Sequence, residues 1–262
     1  MEGVSDLQIS QYAKPKSLKE AYTLLTKNKN NQIIAGMMWL KMQDRNIPVG
    51  IDLSDLGLNY IKEDEHGFEI GAMTTLRELE LHPGLHALTN GLFQNAFQDI
   101  VGVQFRNMAT LGGSLYARFG FSDILTALLV LNCDVYLYHG GKVSIQAYAQ
   151  MKYERDILTH IYIHKESLET VFLCMRKSAT DISTLNMAMA KTKDGYRVSV
   201  GARPKRAMRF DFPIDCDVTL MQESICDALF EDNMRGSKAY RIALKNAFLI
   251  KAMKRLGGCV CK

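Results

Sequence analysis

A chain of 262 residues has room for one large domain or two ordinary ones, and either buries a substantial core. With 47% hydrophobic and 23% charged residues it has the balance of a soluble globular protein, which excludes disordered, collagen-like and disulfide-scaffold chains. The 32 Lys and Arg against 28 Asp and Glu leave a scattered excess of +4, so neither a nucleic-acid stripe nor a membrane-binding patch is expected.

The segment Met1-Glu2-Gly3-Val4-Ser5-Asp6 has no basic run leading into an apolar one, and the longest aliphatic stretch, 124–131, is too short to cross a bilayer. A cytoplasmic protein without a membrane span is therefore expected. Over 17–27, Leu18, Ala21, Leu24 and Leu25 recur at helical spacing, and Ser17 with Glu20 forms a capping-box pair. Asn28 to Asn31 break the chain before the apolar strand Ile33-Ile34-Ala35, which ends at Gly36 and opens a short helix over 37–42. A strand follows at 49–53, and 59–62 with 68–71 reads as a hairpin about His66-Gly67. Thr75-Leu76-Arg77-Glu78 caps another short helix, His82-Pro83-Gly84 reads as a loop, and 85–100 has mixed helical periodicity.

Arg106-Asn107-Met108-Ala109-Thr110-Leu111-Gly112-Gly113-Ser114 is a polar, glycine-bearing segment too long for a hairpin turn, and it reads as a functional loop. Ser122-Asp123 then opens the apolar helix 124–131. Strands are expected at 133–138, 142–145 and 157–163. Near residue 165 the pattern changes to three antiparallel strands (171–176, 183–191, 196–200) and two helices (218–230, 237–256). The expected domains are therefore 1–165 and 166–262.

Six cysteines, Cys133, Cys174, Cys216, Cys226, Cys259 and Cys261, show no CxxC pair and are expected to be reduced and mostly buried. Cys259-Val260-Cys261 offers two thiols to a soft metal, although a frayed tail is the plainer reading. His160 and His164 would pair on a metal in a helix, but in a strand they read as side chains on a sheet face. The 14 methionines read as core filler. No GxGxxG, GxxxxGK[ST] or GxSxG pattern occurs.

Three features bear on a ligand. Gly36 lets a backbone approach an anion at a helix start, or simply makes a tight turn. Gly112 and Gly113 leave space for a pyrophosphate against backbone amides. Asp123 can receive ribose hydroxyls, or can be an N-terminal residue favoured by the helix dipole. Arg118, between the glycine segment and Asp123, is open to a phosphate, a partner carboxylate or solvent.

Ile33-Ile34-Ala35-Gly36, Ile70-Gly71-Ala72-Met73-Thr74-Thr75-Leu76-Arg77-Glu78-Leu79, the 106–114 segment and Ser122-Asp123-Ile124 stand in an order and spacing that resembles the FAD-binding subunit of molybdenum hydroxylases, the xanthine dehydrogenase and carbon monoxide dehydrogenase group. Arg235-Gly236-Ser237-Lys238-Ala239-Tyr240-Arg241 is similar to the family's C-terminal helix motif, so the resemblance covers nearly the whole chain. It implies an α+β fold, with a two-subdomain FAD-binding region of the PCMH type followed by a C-terminal three-stranded antiparallel sheet with helices. It also implies FAD as cofactor, held by Ile33, Ile34, Ala35, Gly36, Met37, Met38, Trp39 and Leu40, by Thr110, Leu111, Gly112, Gly113 and Ser114, and by Asp123 near the adenosine.

Electrons would pass from an iron–sulfur partner subunit through FAD to NAD or another acceptor, while substrate is hydroxylated on a molybdopterin subunit. No catalytic acid or base and no protein metal ligand is expected. The sequence departs from the family pattern where AlaGlyGlyThr becomes Ala35-Gly36-Met37-Met38, where Ser114 replaces Asn, and where AlaSerPro becomes Ala117-Arg118-Phe119. A positive φ at Met37 would weaken flavin binding. Two alternatives follow: a scaffold subunit of the same kind of complex that has lost FAD, and a free-standing flavoprotein oxidase or reductase.

Overall fold

Three short strands at the N-terminal end pair in parallel, and a helix covers them. In the computed structural model, which describes residues 7–259, these are β1 (Gln8–Ala13), α1 (Leu18–Lys27), β2 (Gln32–Ile33) and β3 (Asn46–Ile51), in sheet order β1-β3-β2. Ser17 accepts from the Glu20 amide, as the spacing requires. The Glu20 carboxylate, however, takes the amide of Lys16 instead of closing the box on Ser17. Ala21 and Leu25 face inward onto Ile51, Leu53, Leu58 and Ile157. The helix expected over 37–42 shrinks to a 3₁₀ turn at Leu40–Met42, because Met37 takes a left-handed backbone (φ 56°) that a helix does not admit.

The next body is a five-stranded antiparallel sheet with a helical layer. The hairpin forms as β4 (Ile61–Glu63) and β5 (Gly67–Gly71). Helices α2 (Leu76–Leu81), α3 (Pro83–Leu88), α4 (Leu92–Phe97), α5 (Val103–Met108), α6 (Leu111–Tyr116) and α7 (Asp123–Leu129) precede β6 (Cys133–Leu137), β7 (Gly141–Ser144), α8 (Ile145–Gln150) and β8 (Leu158–His164). The strand order is β4-β5-β8-β6-β7. Thr75 and Glu78 make a complete capping box on α2.

Two loop assignments are corrected. His82-Pro83-Gly84 begins α3, with Pro83 in the first turn where its missing N–H costs nothing and His82 Nδ1 accepting from the Leu85 amide. The 106–114 segment is no loop but the end of α5 and the start of α6, hinged at Ala109 and capped by Thr110.

The remaining residues form β9 (Glu169–Met175), β10 (Leu185–Lys191), β11 (Gly195–Gly201), β12 (Met208–Pro213), α9 (Val218–Ser224) and α10 (Lys238–Arg255). The sheet is an antiparallel meander of four strands, not three. β12 alternates Met208, Phe210 and Phe212 with Arg209 and Asp211 and is half covered, so it lacks the apolar run that marks its neighbours. The helix expected over 218–230 stops at Ser224 because the Lys245 ammonium takes the carbonyls of Gln222 and Ile225; a 3₁₀ turn at Asp227–Leu229 follows.

β10 is buried on both faces. Leu185, Met187 and Met189 join the core with α9 and α10, while Ala188 and Ala190 face the core that holds α7. α10 turns Arg241, Leu244, Lys245, Phe248, Leu249 and Ala252 inward, the stripe expected of a helix on a sheet. Cys133 and Cys216 are buried and Cys174 is half-buried; Cys226 and Cys259 are exposed, and Cys261 lies outside the described residues. Among the described residues no helix is long and apolar enough to cross a membrane.

Candidate functional site

The β2 ladder ends abruptly at Ile34, whose amide donates to the Ile51 carbonyl at 3.0 Å. Beyond it the amides of Ala35, Gly36, Met37, Met38 and Trp39 find no acceptor among the described residues. The left-handed Met37 bends this run, and the 3₁₀ turn behind it is closed by Lys41 N donating to Met37 O (2.9 Å) and Met42 N to Trp39 O (3.2 Å). Successive free N–H groups in a bent backbone form a concave anion-binding nest.

The second motif is fastened to the β5–α2 connection. Leu76 N donates to Ala109 O (2.9 Å), Leu111 N to Thr74 O (2.8 Å) and Gly112 N to Ala72 O (2.7 Å). Gly113 N turns back to Thr110 Oγ1 (3.2 Å). Thr74 is fully buried, and its hydroxyl bridges both backbone groups of Tyr60, which holds this connection to β4. The amides of 111–113 are therefore engaged within the chain, unlike those of 35–39 in the first turn.

The glycines serve chain–chain approach more than ligand space. A Cβ on Gly36 would stand 1.8 Å from the Met108 carbonyl oxygen, and one on Gly112 would stand 2.8 Å from Ala72 Cβ. A Cβ on Gly113 would stand 3.3 Å from Ala35 Cβ, so the two motifs lie side by side.

Between them opens a cavity of about 310 Å³. Ile33, Ile34, Ala35, Gly36, Met37, Met38, Trp39 and Leu40 line it, and so do Thr110, Gly112, Gly113 and Ser114. Leu111 does not; it is fully buried in the main core. Asp123 also stands apart, on a second cavity of about 50 Å³ that shares Trp39, Ser114 and Phe119 with the first. Its carboxylate binds Arg176 Nη2 (2.7 Å), Ser183 Oγ (2.8 Å) and Asn186 Nδ2 (2.5 Å), all from the C-terminal sheet region. Trp39 stands edge-on to Phe105 and Phe121 at 5.6 Å.

Several lining residues went unassigned from sequence. Met73 sits inside a recognised motif, whereas Gln32, Arg45, Tyr116, Tyr153 and Asp156 carry no local signature and reach the cavity only through tertiary folding. Tyr116 donates to the Glu154 carbonyl and accepts from the Asp156 amide (3.0 Å), and burial pushes its phenol well above the usual range. Arg155 donates to the carbonyls of Leu25, Asn28, Lys29 and Asn31, fixing the approach to β2.

Arg118 pairs with no carboxylate among the described residues. It is buried at φ 45°, donates to the carbonyls of Tyr148 (3.2 Å) and Met151 (3.1 Å), and lies over the Tyr148 ring, closing the C-terminal end of α8. His160 stacks on Tyr136 at 4.2 Å and His164 bonds Asp134 at 2.8 Å, so the two histidines serve different partners.

The donor set and shape fit FAD. Five free amides suit a diphosphate, and the apolar and aromatic walls (Ile33, Met38, Trp39, Leu40, Met73, Phe119) suit ring systems on either side of it. The chain matches the model of the FAD binding domain in molybdopterin dehydrogenase over residues 7–166. It is 25% identical over 280 residues to the glyceraldehyde dehydrogenase medium chain of Sulfolobus acidocaldarius, covering 94% of this chain and 97% of that one. With the nicotinate dehydrogenase FAD-subunit of Eubacterium barkeri it shares 32% identity over 149 residues, 54% of this chain and 48% of the relative. In fold it superposes on a chain of reconstituted CO dehydrogenase from Oligotropha carboxidovorans with a TM-score of 0.82 at 21% identity, covering 95% of this chain and 97% of that one. The chain belongs to the FAD-binding domain family of molybdopterin dehydrogenases, and its cofactor is FAD.

Proposed function

We propose that the chain is the electron-transfer subunit of a molybdopterin-dependent dehydrogenase complex, taking electrons from iron–sulfur clusters of a partner subunit and delivering them through FAD to NAD or another acceptor. The observation that carries this reading is the row of five unpaired amides in a segment that lines an apolar cavity between the two motifs. Relatives named as a medium chain and as an FAD-subunit support a heteromeric assembly with iron–sulfur and molybdopterin subunits. Bound FAD would supply the exchange of electrons between single-electron clusters and a two-electron acceptor.

The protein's share is holding and shielding. Amides 35–39 would hold the diphosphate, Thr110 and Ser114 line the same cavity, and Ile33, Met38, Leu40 and Met73 give it apolar walls that would exclude water. Leu111 acts from the core by anchoring α6, and Asp123 acts by holding the C-terminal sheet region against α7. A division near residue 165 accompanies this reading, with 1–165 carrying FAD and 166–262 forming the C-terminal domain. It is supported by the separate core that α9 and α10 form on β9 to β11.

The test uses the purified complex under anaerobic conditions. Addition of the substrate should bleach the flavin after the clusters are reduced, and NADH alone should bleach it in reverse. Clusters that reduce while the flavin stays oxidised would sink the electron-transfer assignment; a flavin indifferent to NADH would remove only NAD as acceptor.

A further inference from the structure

Three charged side chains line the main cavity, and two are committed elsewhere. Arg155 spends its guanidinium on four carbonyls, and the Asp156 carboxylate takes the amides of His139 (3.1 Å), Gly140 (2.7 Å) and Ile157 (2.7 Å). The third is Arg45. Its backbone is fixed at the entry to β3, where its carbonyl accepts from Gln8 N at 3.1 Å, yet its half-buried side chain has no hydrogen bond or ion pair among the described residues. Arg45, with its guanidinium free, and the residues that carry the row of free amides thus line one apolar cavity.

A diphosphate brings two negative charges into that space. Amides satisfy its oxygens but carry no net charge, and an anion moved against apolar walls is costly unless a cation accompanies it. The geometry points to Arg45 as the counter-ion of the FAD diphosphate, a binding residue beyond the two glycine-bearing motifs. This inference rests on the cofactor assignment above. Arginine suits the role because its planar fork donates in pairs to phosphate oxygens and never loses its charge.

The full chain stripped of flavin is titrated with FAD and, separately, with riboflavin, which has the ring system and no phosphate. Arg45→Gln should weaken FAD about tenfold at low ionic strength, the scale of one charge-assisted hydrogen bond. The gap should narrow as salt rises. Riboflavin affinity should be unchanged, and Arg45→Lys should keep most of the FAD affinity. The wild-type chain should itself lose FAD affinity with salt, a result that needs no variant to fold.

Equal FAD affinity in Arg45→Gln overturns the assignment, as does an equal loss for FAD and riboflavin, which would mark Arg45 as a packing residue. A wild-type chain that takes up no FAD removes the cofactor assignment itself. One that takes up FAD while Arg45→Gln matches it removes Arg45 alone.

Discussion

Met37 holds a left-handed backbone at φ 56°, where a side chain costs about 1–2 kcal/mol relative to the right-handed region. That bend lies within the run of five amides that find no acceptor among the described residues, so the strain sits where the backbone is most useful. Met37→Gly should keep the bend and remove the strain, offset in part by the greater freedom of glycine in the unfolded chain. The net gain should be about 0.5–1 kcal/mol by urea denaturation of the flavin-free chain. A loss of stability would mean that the methionine side chain contributes more packing than its backbone costs.

Single residues also show what the sequence could and could not convey. The Gly36 and Gly112 positions are legible as glycines, but not their reason, since the Met108 carbonyl and Ala72 that exclude a Cβ lie 72 and 40 positions away. Asp123 reads equally as a ribose ligand or a dipole partner. Its actual partners, Arg176, Ser183 and Asn186, lie more than 50 residues on and have no spacing to reveal them.

Among the elements, the long and strongly patterned ones are legible, as is α2 through its Thr75–Glu78 capping pair, and several other six-residue helices are not. α1 and α10 show a stripe of buried residues over several turns, whereas α3, α5 and α6 complete fewer than two turns each; side chains cap α3 and α6, and α5 starts at Gly102 without one. Thr110 as a cap and Pro83 in a first turn were the available signals. β8 is legible in another sense, because its alternation puts His160, Tyr162 and His164 on the half-covered face.

There His160 stacks on Tyr136, its Nδ1 meets Thr159 Oγ1 at 3.0 Å, and Glu69 and Lys62 stand near it. Burial holds its imidazole below the ordinary 6.5; Glu69 works against this and Lys62 with it. The unfolded chain therefore binds this proton first as pH falls, so the native state loses stability from about pH 6.5 downward until the folded group also titrates. His160→Phe keeps the stack and should reduce the drop in urea midpoint between about pH 7.5 and about pH 5.5. An unchanged drop would assign the dependence to other groups.

At the scale of the molecule, the FAD-binding region and the C-terminal sheet meet across α7, and polar groups fix how they meet. Asp123 at the first turn of α7 binds Arg176, Ser183 and Asn186; Thr126 one turn on bonds Asn186 Oδ1 (2.9 Å), and Ser199 Oγ bonds the Thr126 carbonyl (2.5 Å). Apolar contact between α7 and the alanines of β10 supplies adhesion without direction, while these bonds select one register. Arg176 and Asp123 are both under a tenth exposed, so removing either leaves a buried charge alone.

Asp123→Ala should cost about 3–5 kcal/mol, and Arg176→Met in the same background should recover a large part by removing the orphaned guanidinium. A urea-denaturation cycle of the two single variants and the double variant gives the coupling directly. Purely additive losses would mean that the ion pair does not set the register and that apolar packing of α7 does. A large coupling energy would show that this ion pair fixes the register in which α7, opening at the smaller cavity lined by Trp39, Phe119 and Phe121, meets the C-terminal sheet.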